Sequence, residues 1–211
     1  MLDLDSQFIP PPEGELFMPL VPELLEEQFP TTETLPGGKE IEIRTLRPDD
    51  KDRLWAFFSA IPEHDKLYLK EDLSDPAIAE EWSKNINYDE MLPIVAIDKD
   101  KIIGYATLRQ YKRTWQRHIG IVRVGVHPDY RKQGIARTLL NHICELGKYS
   151  GLEKLEAEFM AEQNNAIHLF EMFGFTKMAV LPQHVIDFTG KRHDFVIMIF
   201  NMRDAEVFAA D

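Results

Sequence analysis

An apolar strand that runs into a proline, a basic turn, one glycine and then an amphipathic helix leaves a chain few ways to fold. Residues 124–136 have that order: Val124-Gly125-Val126-His127-Pro128-Asp129-Tyr130-Arg131-Lys132-Gln133-Gly134-Ile135-Ala136. Pro128 stops the strand because it has no N–H to give to a ladder. The helix is legible in Ala136, Leu139, Leu140, Ile143 and Gly147, whose three-and-four spacing makes one buried stripe. The amides of a first helical turn lack partners inside the helix, and the macrodipole adds about half a positive charge there, so the spot attracts an anion. Gly134 lets a diphosphate reach backbone amides that a side chain would fend off, and Arg131, Lys132 and Arg137 add charge. The run predicts a pyrophosphate site.

The rest of the body alternates strands and helices. Residues 40–46 alternate polar and apolar as a half-buried strand does. Pro48-Asp49-Asp50 opens a helix striped by Leu54, Phe57 and Phe58, and residues 76–85 read as another. Residues 93–97 and 102–108 form a hairpin, and residues 118–126 form the strand that feeds the phosphate turn. A strand at 155–159 completes a parallel strand-helix-strand unit, then come a short helix at 165–173 ended by Gly174 and two more strands. The fold class is mixed, α/β (α+β), with antiparallel hairpins on both sides of one parallel unit. Neither a dinucleotide-binding Gly-x-Gly-x-x-Gly nor an ATPase-type phosphate loop occurs.

At this point the chain resembles a known family. Arg131-x-x-Gly134-x-Ala136 is similar to the acyl-CoA-binding signature of the GCN5-related N-acetyltransferases, or GNAT family. Asn164-Asn165-Ala166-Ile167-His168-Leu169-Phe170-Glu171-Met172-Phe173-Gly174-Phe175 resembles the family's later stretch. Asp187, Gly190, His193 and Asp194 resemble its closing hairpin, so the likeness covers roughly residues 39–202. It implies a GNAT-like, mostly antiparallel central sheet flanked by helices, with a splayed parallel strand pair forming the acyl-CoA cleft. It implies acetyl-CoA as cosubstrate, held by Val124, Val126, Arg131, Lys132, Gln133, Gly134, Ile135, Ala136, Arg137, Asn164 and Phe170. Asn164 would reach the pantetheine amide, although Gln163 stands at the commoner register. Phe170 stands where the family commonly has a tyrosine that protonates the departing thiolate, so it is kept as a cofactor contact and the acid is left unassigned.

Acetyl transfer needs a neutral amine, yet only on the order of one lysine-like amine in a thousand is neutral at pH 7. Among His118, Glu158, His168, His184 and Asp187, the candidate bases carried forward are His118, because an unperturbed imidazole titrates near 6.5, and Glu158. For a residue of either kind a surface or hydrogen-bonded role is the commoner one. Val126 is the candidate oxyanion donor through its backbone N–H, which Pro128 lacks. The expected function is N-acetyl transfer from acetyl-CoA to a primary amine, on a small molecule or on a protein lysine or N-terminus, by direct attack. The alternative is a non-catalytic acyl-CoA-binding sensor or regulatory module. Acidic residues between 61 and 93 could attract a cationic acceptor or could be plain solvated surface.

Residues 1–38 carry eight carboxylates and no Lys or Arg, which leaves about −4 of the net charge of −12 for the rest. They also hold seven of the thirteen prolines, a composition that does not build its own core. Their apolar residues, among them Phe8, Leu16, Leu25 and Phe29, could lie along the body or against a second subunit in a homodimer. The expected organisation is an acidic Pro-rich arm at 1–38, the acetyltransferase domain at 39–203 and a tail at 204–211. Acidity and the lack of a basic aromatic patch speak against nucleic acid. The absence of a long apolar run or basic leader speaks against a membrane span or secretion and for the cytoplasm. Cys144 is a packing residue, and the seven histidines show no metal-ligand spacing, so no metal is expected.

Overall fold

Residues 92–97 and 102–106 are almost uninterrupted in apolar side chains, a composition that suits strands covered on both faces. In the computed structural model, which describes residue 25, residues 27–88 and residues 90–202, these strands lie inside one eight-stranded sheet. The strands are β1 Thr31–Thr34, β2 Glu40–Thr45, β3 Met91–Asp98, β4 Lys101–Gln110, β5 Ile119–Val126, β6 Lys154–Met160, β7 Thr176–Ile186 and β8 Arg192–Asn201. Their order is β1-β2-β3-β4-β5-β6-β8-β7, antiparallel throughout except for β5 and β6.

The helices are α1 Lys51–Ser59, α2 Glu63–Lys66, α3 Pro76–Lys84, α4 Ile135–Tyr149 and α5 Asn164–Met172. On one face Leu139, Leu140 and Ile143 of α4 and Phe170 of α5 pack on Ile94, Ile103 and Leu108. On the other, Leu54, Phe57 and Phe58 of α1 and Ala79 of α3 pack on Val95, Ile97, Ile102 and Tyr105. Burying each large aliphatic side chain is worth about 1.5–3 kcal/mol, so these two cores fix the layer order.

Two features go beyond the sequence reading. β1 falls inside residues 1–38, pairs with β2 from Thr31 opposite Ile43 to Thr34 opposite Glu40, and brings Leu25, Phe29 and Leu35 into the α4-side core. The expected docking of Phe8 and Leu16 and the tail at 204–211 lie outside the described residues. The second feature is a buried ion pair ahead of α1. The Arg44 guanidinium donates to both carboxylate oxygens of Asp50 at 2.6 and 2.7 Å, and the Arg47 amide donates to Asp50 at 2.9 Å. Burial alone would push the Asp50 pKa up, but Arg44 and the amide outweigh it and hold it down.

The parallel pair is short. β5 and β6 are joined only from Ile119 opposite Lys154 to Ile121 opposite Glu156. Beyond that, β5 stays with β4 as far as Val126 and β6 stays with β8 as far as Met160, so a gap opens between them.

Candidate active site

The gap is the waist of a cleft of about 970 Å³, a volume in the range of small-molecule sites. The mouth on the α4 side is the turn after β5. A short 3-10 turn, Pro128–Tyr130, leads into Lys132 at φ +61° and Gly134 at φ +91°, which caps α4. Two left-handed residues so close together turn successive N–H groups toward one concavity. The first amide of the helical ladder is that of Thr138, which reaches the Gly134 carbonyl at 3.0 Å, so the amides of residues 135–137 have no carbonyl within the helix. A Cβ on Gly134 would stand 2.8 Å from Pro36 Cδ, so the position is closed to a side chain by crowding as well as by φ. This cradle fits a diphosphate.

The middle of the cleft is apolar: Val124 and Val126 of β5, Phe159 of β6, and Leu169 and Phe170 of α5. His127 donates its amide to the Ile103 carbonyl at 2.9 Å. Val126 and its partner Gly104 are therefore a pair that exchange no bonds with each other, and the Val126 N–H turns away from β4 toward the gap. Phe170 is buried, edge-on to Phe159 at 5.0 Å and to Phe175 at 4.9 Å.

Side chains alternate across a strand, so Arg123 and Glu158 lie on the α1/α3 face while Val124 and Phe159 lie on the α4 face. The cleft thus passes through the sheet. On its far side Glu158 is ion-paired with Lys70, from the link between α2 and α3. Partial burial and the Arg123 guanidinium pull the Lys70 amine down, to about 8, while the Glu156 and Glu71 carboxylates act in the opposite sense. Arg123 donates to Glu71 at 3.0 Å, and Trp82 Nε1 donates to the other oxygen of Glu71 at 3.2 Å. Trp82 is itself wedged edge-on against Phe58 at 5.4 Å and Tyr105 at 5.7 Å, so an aromatic cluster on the core fixes this wall. Arg131 crosses the site to Asp65 at 2.6 Å. The acidic residues of this segment are therefore largely occupied, because Glu80 also pairs with Lys51 at 2.6 Å and with Lys84.

The β7–β8 hairpin closes one side. Asp187 accepts from Thr189 Oγ1 at 2.6 Å, from the amides of Thr189 and Lys191 at 2.8 and 3.0 Å, and meets His193 Nε2 at 2.8 Å. His193 Nδ1 meets Glu162 at 2.7 Å. The hydroxyl of Thr189 and the His193 ring hold the Asp187 carboxyl well below the usual range, and Asp187 and Glu162 raise the His193 pKa.

Of the residues singled out in the sequence, Val124, Val126, Arg131, Lys132, Gly134, Ile135, Ala136, Arg137, Glu158 and Phe170 line the cleft, as do His184 and Asp187. Three of the carried candidates are not in its lining. His118 precedes β5, roughly 26 Å from Val126 along the strand, and its carbonyl is used by the amides of Glu153 and Lys154. The Gln133 side chain donates to the Asp129 carbonyl at 3.3 Å. Asn164 is exposed and donates to the Glu162 carbonyl at 3.3 Å, while Gln163 and Asn165 on either side of it face the cleft. The residues that sequence reasoning passed over as site residues are Lys70, Arg123 and Trp82, whereas Glu71 was among the acidic residues of 61–93 considered for a cationic acceptor. The one signal available was Arg123, a charge in an otherwise apolar strand. Cys144 is buried with its thiol pushed up to about 12 by desolvation, so it is no nucleophile. No described helix is long and apolar enough to cross a membrane.

Comparison with known proteins gives consistent results. The profile of the acetyltransferase (GNAT) family matches residues 52–175. A thialysine N-epsilon-acetyltransferase of Caenorhabditis elegans is 24% identical over 141 residues, 66% of this chain and 86% of that protein. A ribosomal protein bS18-alanine N-acetyltransferase of Escherichia coli is 33% identical over 78 residues, 37% of this chain and 52% of that one. A solved structure of yncA from Salmonella typhimurium with its cofactor acetyl-CoA shares the fold, with a TM-score of 0.66 at 21% identity over 78% of this chain and 95% of that one.

Proposed function

The chain belongs to the acetyltransferase (GNAT) family, and on that premise we propose that it moves the acetyl group of acetyl-CoA to a primary amine by direct attack. The observation that carries this reading is the cleft that passes through the sheet, from an amide-lined mouth past the Val126 N–H to a carboxylate. The mouth would hold the diphosphate on the amides of residues 134–137, with Arg131 and Lys132 adding charge. Val124, Gln163, Asn165 and Phe170 would flank the pantetheine arm.

In the gap the Val126 amide would meet the carbonyl oxygen as negative charge develops on it, a fixed dipole in a largely apolar surround. Glu158 would take the proton of the attacking amine. Phe170 has no proton to give, but a thiol of pKa about 8.5 leaves well as thiolate, so transfer does not require a hydroxyl at that position. Two relatives are named for amine acceptors, the ε-amine of thialysine and an alanine of ribosomal protein bS18, which supports the amine class without choosing between small molecule and protein.

Thiol release from acetyl-CoA with a panel of free amino acids, polyamines and peptides with free lysines or N-termini tests the proposal. Release that depends on an amine is the expected result. Tight CoA binding with no release for any amine would favour the sensor reading instead.

A further inference from the structure

Lys70 occupies the place where an acceptor amine has to arrive. Two lysines line the cleft, and Lys132 belongs to the diphosphate mouth; Lys70 lies on the other face, against Glu158, with the Phe195 ring 6.0 Å from its Nζ. Its backbone is held on both sides, through Asp65 to Arg131 at 2.6 Å and through Glu71 to Arg123 at 3.0 Å. The amine sits at the rim of the cleft with its side chain 37% exposed, on a segment that these two ion pairs fix beside the candidate base, and such preorganisation speeds an intramolecular transfer. Lys39, Lys51, Lys66 and Lys84 each sit on a carboxylate away from the cleft and do not line it.

We propose that Lys70 is a site of self-acetylation, in which the chain transfers the acetyl group of its own bound acetyl-CoA to the Lys70 side chain when no external amine is present. The inference rests on the proposed function, since it uses the same cleft and the same base. In the step, the Lys70 ammonium gives a proton to Glu158 and the freed nitrogen lone pair forms a C–N bond to the thioester carbon. The C–S bond breaks with its electron pair on sulfur, the nitrogen sheds its second proton, and the thiolate takes that proton up, while the proton on Glu158 passes to solvent. The sum is acetyl-CoA plus ammonium giving the amide, free CoA thiol and one proton.

The groups facing the amine are Glu156 and Glu158 of β6, Arg123 of β5, Arg109 of β4 and Glu71 beside it. Their balance, with partial burial, sets its titration near 8, so a useful neutral fraction exists at neutral pH. The modified side chain has no charge, so it would release Glu158 from its ion pair and leave that carboxylate to an incoming acceptor.

The test incubates the full chain with acetyl-CoA and no amine, titrates CoA binding in the same buffer and maps acetylated lysines by peptide mass spectrometry. We expect Lys70 to be acetylated first, at a rate independent of protein concentration and about tenfold faster at pH 9 than at pH 7, as the neutral fraction of an amine titrating near 8 requires. Lys70→Arg should abolish this modification while CoA still binds. A chain that binds CoA yet leaves Lys70 bare, or modifies it no faster than its surface lysines, overturns this inference alone. A chain that does not bind CoA overturns the proposed function and this inference together.

Discussion

At Glu158 a carboxylate and an amine meet inside a cleft whose middle is apolar, and what that carboxylate does is accessible to one substitution. Glu158→Gln keeps the shape and removes the proton acceptor. We expect kcat to fall about 100-fold or more, the usual contribution of a general base, with CoA affinity unchanged by titration; undiminished turnover would remove Glu158 from the chemistry. Gly134 gives the complementary test at the mouth. Its φ of +91° costs any L side chain about 1–2 kcal/mol, and Pro36 stands in the way of the new Cβ. Gly134→Ala should lower the melting temperature modestly and weaken CoA binding by more than the same substitution at an exposed helical site. At this scale the mouth was legible in sequence because its causes are local: a proline, basic residues and a glycine within one short run. Lys70, Arg123 and Glu158 were not legible as a group, because they come from three segments that meet only when the sheet forms.

Among elements, the ion pair ahead of α1 and the clasp on the β7–β8 hairpin carry the sharpest expectations. Arg44→Ala would leave the buried Asp50 carboxylate with only Arg53 at 3.3 Å and the Arg47 amide at 2.9 Å, a loss of about 3 kcal/mol that is read directly by denaturant unfolding. The clasp depends on pH from both sides. His193 titrates above its ordinary value, so its contribution is full below about pH 6.5 and is lost as pH rises through the raised pKa. Asp187 titrates below its ordinary value, so its contribution is present above about pH 4 and is lost as pH falls through the lowered pKa. Hydrogen exchange at the Thr189 and Lys191 amides should therefore be slowest in mildly acidic solution once the intrinsic rate is divided out. Protection that is flat with pH would contradict the clasp. Long periodic elements such as α4 were readable from spacing, whereas β1 was hidden by the prolines and carboxylates around it, and only its pairing with β2 reveals it.

For the molecule as a whole, function follows from one topological fact: β5 and β6 begin as a parallel pair and then part company, each kept by its outer neighbour. In the proposed function a slender arm would cross the sheet there, with the diphosphate on the α4 face and the amine coming from the α1/α3 face. Everything proposed for catalysis depends on the anchor being where the amides of residues 134–137 place it. The most direct measurement is a crystal structure of the chain with CoA. The account predicts the diphosphate oxygens within hydrogen-bonding distance of those amides, with the pantetheine arm running between Val126 and Phe159. A CoA lodged anywhere else, or no CoA at a concentration that saturates binding in solution, would contradict it.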